Sequence, residues 1–297
     1  MTTILHRDGR VLLTVDGPLA GANLGGAYLA GADLTGAKLT DADLTDADLT
    51  GANLGGADLT GADLTGAYLT DADLTDAKLT GADLTGAKLT GANLTDAYLT
   101  GADLTGAKLT GANLTAAYLT GADLTGAKLT GADLTDADLA GADLTDADLT
   151  DADLTDAKLT GANLTDAYLA GADLTGADLT GAKLTGADLT GAYLQEIRAD
   201  VELVLSGAAA EAPALLAALR EGRIDGSCYE GACSCLVGTI ATARGVDYLT
   251  LAPDSNRPAE RWFLAIQRGD TPATSQFAAI TEAWIQDWIA ARAESNT

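Results

Sequence analysis

Leucine stands at every fifth position from Leu19 to Leu194, 36 times without exception, and alanine stands two residues before it from Ala22 to Ala192. Self-similarity at a fixed period has to be read before any other signal. A helix does not accommodate it. At about 100° per residue, five residues advance about 500°, so successive leucines step around the whole cylinder and leave no apolar stripe. A straight strand fails as well, because an odd period sends successive leucines to opposite faces. The conflict disappears if each repeat is a very short strand followed by a corner. Within "ADL" the alternation puts Ala inward, Asp outward and Leu inward, and the next two residues, usually Thr-Gly or Thr-Asp, turn the chain. Every leucine then faces one axis. A single coil of such sides buries too little on its own. Stacked coils at the strand spacing of about 4.8 Å satisfy each other's backbone groups and cover the leucines, which predicts an all-β solenoid.

The motif A(D/N)LxG, present as "ANLGG", "ADLTG" and "ADLTD", resembles the pentapeptide-repeat family over residues 18–194. That resemblance implies a right-handed quadrilateral β-helix. Four repeats per coil follow from the resemblance, since a five-residue period does not fix how many sides close a turn. Members of the family often place Phe among the inward leucine positions, and this chain never does. A narrow, uniform interior without pockets is expected.

With 20 residues per coil, the outward residue in the middle of each repeat sorts into columns. Positions ending in 3 are Asp or Asn from Asn23 to Asp173, and those ending in 8 hold lysines and tyrosines among further aspartates. Lys183 and Tyr193 depart from this rule. Asp43, Asp63, Asp83, Asp103, Asp123 and Asp143 are expected to stack as an acidic row on one face, and Lys88, Lys108 and Lys128 as a short basic row on the next. Like charges at that spacing repel by just under about 1 kcal/mol in water, which the fold tolerates.

Residues 18–194 carry 27 Asp against 7 Lys, and the whole chain a formal charge of −26. Over about nine coils this is about one net negative charge per 2 Å, close to the one per ≈ 1.7 Å of duplex DNA. Such a charge argues against nucleic acid or an anionic membrane as a direct partner and favours a protein with a basic surface. The quinolone-resistance branch of the family it resembles is understood to imitate duplex DNA in the DNA-binding saddle of gyrase, so the resemblance implies a DNA mimic for a type II topoisomerase. The competing expectation is a structural scaffold or spacer, kept soluble by its acidity, whose C-terminal domain carries partner binding or oligomerisation. Ranked threonines suggest an ice-binding face, but Asp and Lys beside them spoil it. The glycine-rich nine-residue repeat of calcium-binding β-rolls is absent.

Solenoid ends expose an edge and need covers. "TILHRDGRVLLTV" reads as a hairpin of two apolar runs joined by a two-residue Asp8-Gly9 turn, giving an N-terminal cap over 1–17. After Leu194 the period stops, and residues 195–297 read as a small, mainly α-helical domain. It stands as a cap, as a homodimerisation element or as a holder of a partner. "QEIRADVELVLSG", "APALLAALREG", "ACSCLVGTIATARG", "RPAERWFLAIQRG" and "SQFAAITEAWIQDWIAAR" are its helical stretches, the last with Phe277, Ile280, Trp284 and Trp288 on one stripe. Trp262, Phe277, Trp284 and Trp288 are core residues or, alternatively, tail interface candidates.

No catalytic residue, cofactor or metal is expected. Cys228, Cys233 and Cys235 are three thiols without a nearby His, short of the four ligands of a structural zinc, and are read as small core residues in a reduced state. His6 is the sole histidine, read as a hairpin surface residue, so those thiols have no neighbouring base. With no signal peptide and no membrane-length apolar run, a cytoplasmic, non-enzymatic protein is expected.

Overall fold

The computed structural model describes residues 1–179, 182–225, 236–247, 258–263 and 268–295, together with Leu251 and Ile266. They fall into two compact units, one built from 1–178 and 182–193, the other from 179–181 and 194–297.

The first unit opens with β1 (Thr2–His6) and β2 (Val11–Val15), an antiparallel pair. The turn is wider than Asp8-Gly9 alone. The His6 N–H donates to the Arg10 carbonyl at 2.9 Å and the Gly9 N–H to the His6 carbonyl at 2.8 Å, so Arg7, Asp8 and Gly9 form a three-residue loop. Gly9 takes the left-handed position that closes such a loop, with φ 87°. The register steps from Ile4↔Leu13 to Leu5↔Val11, which leaves Leu12 as an extra residue on β2. The other edge of β1 pairs antiparallel with β3 (Ala32–Asp33), so the hairpin is joined to the first coils by backbone bonds.

From Asn23↔Asp43 to Asp173↔Tyr193, each outward residue pairs in parallel with the residue 20 positions on. One coil therefore has four five-residue sides, and the unit is a β-helix solenoid. Three backbone bonds of each repeat run between coils. The Leu64 N–H donates to the Asp83 carbonyl at 2.7 Å, the Asp63 N–H to the Ala42 carbonyl at 2.9 Å and the Gly66 N–H to the Thr85 carbonyl at 2.9 Å. A fourth, from the Ala67 N–H to the Leu64 carbonyl at 2.9 Å, closes the corner. From Leu39 to Leu169 every repeat leucine is at most 1% exposed, so the interior is one unbroken leucine column walled by alanine. Burial on this scale stabilises by about 2 kcal/mol per leucine, and each coil collects that only because its neighbours cover it.

The second unit contains α1 (Gln195–Gly207), α2 (Ala212–Arg220), α3 (Leu236–Arg244), α4 (Pro258–Phe263) and α5 (Gln276–Ser295). Helix α1 packs on α4 and α5, and α2 on α3 and α5. Val201, Leu205, Leu215, Leu219, Ile240 and Phe263 fill its core. Helices α2 and α3 end alike. The Gly222 N–H donates to the Leu219 carbonyl and the Arg223 N–H to the Ala218 carbonyl, and Gly245 and Val246 repeat this on Thr242 and Ala241. These paired bonds capture carbonyls that a helix end otherwise leaves unsatisfied.

The buried stripe of α5 is rotated from the expected one. It runs through Phe277, Ala278, Thr281, Trp284 and Ile285, while Ile280 and Trp288 are half-buried. Thr281 lies inside because its polar atom is satisfied. Its Oγ1 donates to the Phe277 carbonyl at 2.7 Å and accepts from the Trp262 indole N–H at 2.8 Å. The Trp262 ring lies 4.8 Å from Phe277 and 5.2 Å from Trp284. Of the four tail interface candidates, Trp262, Phe277 and Trp284 are thus packed against one another inside this unit, at most 8% exposed. Trp288 is the one that reaches the surface, with the Arg292 guanidinium 4.7 Å from its ring. Cys228, Cys233 and Cys235 lie outside the described residues.

Candidate protein-binding faces of the solenoid

Four of the five backbone N–H groups in a repeat are satisfied by the backbone. The fifth belongs to the first corner residue, and where the outward residue two positions before it is Asp or Asn, that side chain supplies the acceptor. Every Asp or Asn in the middle of a repeat from Asn23 to Asp173 accepts, through its Oδ1, the N–H two residues on at 2.9–3.4 Å. A short polar side chain thereby holds the corner it precedes. The sequence reading of these residues as an outward charge row contains no such structural role. Their spacing of two before each turn is the signal that identifies them as turn formers.

Asn makes this bond too. Asn23, Asn53, Asn93, Asn113 and Asn163 hold their corners at 2.9–3.3 Å, within the range of the aspartates. The corner therefore explains a short polar residue but not a negative charge. On the face running through Asn53, Asp73, Asn93, Asn113 and Asp133 the two types mix. On the face of Asp43, Asp63, Asp83, Asp103, Asp123 and Asp143, parallel pairing places six carboxylates in consecutive coils without an Asn among them.

Three of these carboxylates, Asp63, Asp103 and Asp143, are held below the usual carboxylate range. The Thr65 N–H and then its hydroxyl keep Asp63 below the usual carboxylate range, with the Thr45 hydroxyl adding to them against the burial that pushes it up. The Thr105 hydroxyl and N–H lower Asp103 in the same way. At Asp143 burial is the largest single influence and pushes upward, but the Thr145 hydroxyl and N–H together with Asn163 outweigh it. Hydrogen bonds to the charged form are the shared cause.

The neighbouring face brings Lys88, Lys108 and Lys128 into one column. The Lys88 ammonium sits 3.3 Å from the centroid of the Tyr68 ring, a cation–π contact at the end of this row. The remaining face balances its charges internally. Lys38 lies 3.7 Å from Asp58 and Lys158 lies 3.9 Å from Asp138, with the Tyr98 and Tyr118 rings stacked at 4.9 Å between those pairs. The contrast is instructive: this solenoid alternates charge on one side and accumulates it on another. Among the described residues, no helix is long and apolar enough to cross a membrane.

A four-sided coil with leucine inside, alanine beside it and a left-handed residue at each corner defines a five-residue-repeat solenoid. The chain belongs to the pentapeptide-repeat family: the family model, pentapeptide repeats, matches residues 19–56, 42–81, 57–96, 77–115, 117–156 and 157–196. No curated protein matches it. Among solved structures it is similar to HetL, a pentapeptide repeat protein involved in heterocyst differentiation regulation from the cyanobacterium Nostoc sp. strain PCC 7120. Identity is 40% over 58% of this chain and 89% of that one, with a TM-score of 0.37. A pentapeptide repeat protein of the Arabidopsis thaliana thylakoid lumen is 41% identical over 37% of this chain and 74% of its own, with a TM-score of 0.33. Full-length QnrB1, a plasmid-mediated fluoroquinolone resistance protein, is 23% identical over 64% and 97%, with a TM-score of 0.44.

Proposed function

We propose that this protein is a non-enzymatic rod that acts through protein contacts, and that the face of Asp43, Asp63, Asp83, Asp103, Asp123 and Asp143 binds a basic protein surface as a mimic of duplex DNA, with a type II topoisomerase as the target. One observation carries the reading. Asparagine makes the same corner bond elsewhere in the solenoid, yet six coils in succession carry the charge. Six carboxylates at about 4.8 Å form a line of about 24 Å, so a basic saddle built for phosphates meets the same sign, at about one charge per 4.8 Å against about one per 3.4 Å along a single DNA strand. Electrostatic complementarity of this kind sets encounter rate and partner choice more than raw affinity.

The second reading is a scaffold whose contacts lie in the helical unit. It draws on the corner bonds, which give the aspartates a structural use independent of any partner. A gyrase supercoiling assay with the full chain separates the two. The mimic inhibits at micromolar concentration, and replacing the six aspartates with asparagine lowers its potency at least about tenfold. Inhibition that is absent, or unchanged in the sixfold variant, leaves the scaffold.

A further inference from the structure

The second unit contains a cavity of about 630 Å³ between α2 and α3, rimmed by Glu221, Arg223, Asp225, Thr242 and Arg268. Its volume is that of a small-molecule site rather than of a packing defect. The rim is built by a backbone contact. The Gly269 N–H donates to the Gly222 carbonyl at 2.9 Å, and a Cβ on Gly222 would come within 3.0 Å of the Gly269 Cα. Gly222 also occupies the left-handed position that ends α2, with φ 62°. Only glycine meets both demands, and the contact holds Arg223 and Arg268, one residue to either side, on the same cavity.

The two guanidinium groups differ. Arg223 donates to Glu221 at 2.6 Å, so its charge is balanced. Arg268 has no partner among the described residues. Elsewhere in this unit Arg198 is bonded to Glu202 and Asp287, Arg220 to Glu282 and Arg244 to Glu211, while Arg292 lies over Trp288. Among the described arginines of this unit, the Arg268 guanidinium, open on the cavity, is the exception to be explained.

We infer that this cavity takes a small organic carboxylic acid, with the Arg268 guanidinium as its anchor. A guanidinium fork matches a planar carboxylate bidentately. A singly charged ligand is favoured over a phosphate dianion because, beyond the Arg223–Glu221 pair, the rim offers a single guanidinium. The Thr242 hydroxyl, which donates to the Gly238 carbonyl, keeps an oxygen lone pair available to a ligand donor.

The test uses the full chain and benzoate as the probe, followed by ligand-observed saturation transfer and by the Arg268 side-chain Nε–H resonance, with inorganic phosphate at matched ionic strength as the competing oxyanion. Benzoate produces a saturable shift of the Arg268 resonance. Its affinity falls about tenfold or more in Arg268→Ala and is partly retained in Arg268→Lys. The exposed position of Arg268 lets both variants fold. The inference is overturned if benzoate fails to saturate at tens of millimolar, if Arg268→Ala binds it unchanged, or if phosphate binds more tightly than benzoate.

Discussion

The solenoid and the helical unit bury apolar side chains by opposite uses of sequence. In the solenoid the interior residue is always the same, so Leu64 and Leu104 have interchangeable surroundings, and each coil depends on the coil before and after it. In the helical unit the core contacts are individual: Trp262 meets Phe277, Trp284 and the Thr281 hydroxyl, a set that recurs at no other place among the described residues. Their cations divide in the same way. All seven lysines lie between Lys38 and Lys183, while every arginine lies outside that span. Arginine serves the helical unit because its fork bonds specific carboxylates across helices, as Arg244 does on Glu211 at 2.8 Å. Lysine on a solenoid face needs no such partner. Repetition gives tolerance, and individuality gives specific contacts.

The sharpest way to break this comparison is to remove 20 residues from each unit. Deleting 101–120 joins Thr100 to Gly121 in register and removes one coil. We expect the β signal in circular dichroism to fall by about one coil's share while the cooperative melt survives, as nearest-neighbour stabilisation requires. Deleting α5, which supplies Phe277, Thr281, Trp284 and Ile285, is expected to abolish the helical signal and the transition of the second unit altogether. Equal losses in the two units would show that the solenoid is not modular.

Point substitutions come next in size. Leu104→Ala opens a cavity in a column that cannot collapse, and is expected to cost about 3–5 kcal/mol in urea unfolding. Trp262→Phe keeps most of the ring but strands the buried Thr281 hydroxyl without its indole partner, at about 1–3 kcal/mol. Neighbouring coils confine the first effect, whereas the second should loosen α4 against α5 as a whole.

What was legible in the sequence follows the same division. The five-residue period placed every repeat leucine inside and every left-handed residue at a corner, because a strictly repeated sequence repeats its geometry. It did not show four sides. Closure depends on pairing between residues 20 apart, such as Lys88 with Lys108, and no local pattern contains that distance. The corner bonds of the aspartates are legible too, since an Asp or Asn two residues before a turn is a known turn former. In the helical unit the starts of α1 and α5 and the ends of α2 and α3 were visible from Gly222 and Gly245 and from the breaks in periodicity. The rotated face of α5 was not. Thr281 is buried because Trp262, in another helix, supplies its bond, and that is a tertiary fact.

A smaller effect should run in the opposite direction. Ala116 holds φ 55° at a corner where every other described solenoid repeat has Gly or Asp. The left-handed region costs a residue with a Cβ about 1 kcal/mol, while Asp recovers part of that through local hydrogen bonding. Ala116→Gly is therefore expected to stabilise the solenoid by about 1 kcal/mol, read as a higher urea midpoint. A destabilised variant would mean that the unfolded-state entropy of the added glycine outweighs the relief, and that the corner is less strained than its dihedral implies.

The smallest expected change is the most informative for function. Asp63 has a folded-state pKa lowered by Thr65 and Thr45, so it binds a proton less readily folded than unfolded. Its contribution to stability is then present above the unfolded value of about 3.9 and is lost as pH falls through the lowered value. Asp63→Asn keeps the corner bond, removes that titration, and relieves repulsion from Asp43 and Asp83 one coil away on either side. At pH 7 the lost charge-assisted bond and the relieved repulsion oppose each other, so a change within about 0.5 kcal/mol is expected. Below about pH 4 the variant should lose less stability than the parent. Urea midpoints across pH measure both. If the asparagine variant is markedly weaker at neutral pH, the fold itself demands the carboxylate, and the run from Asp43 to Asp143 no longer needs a partner to account for it.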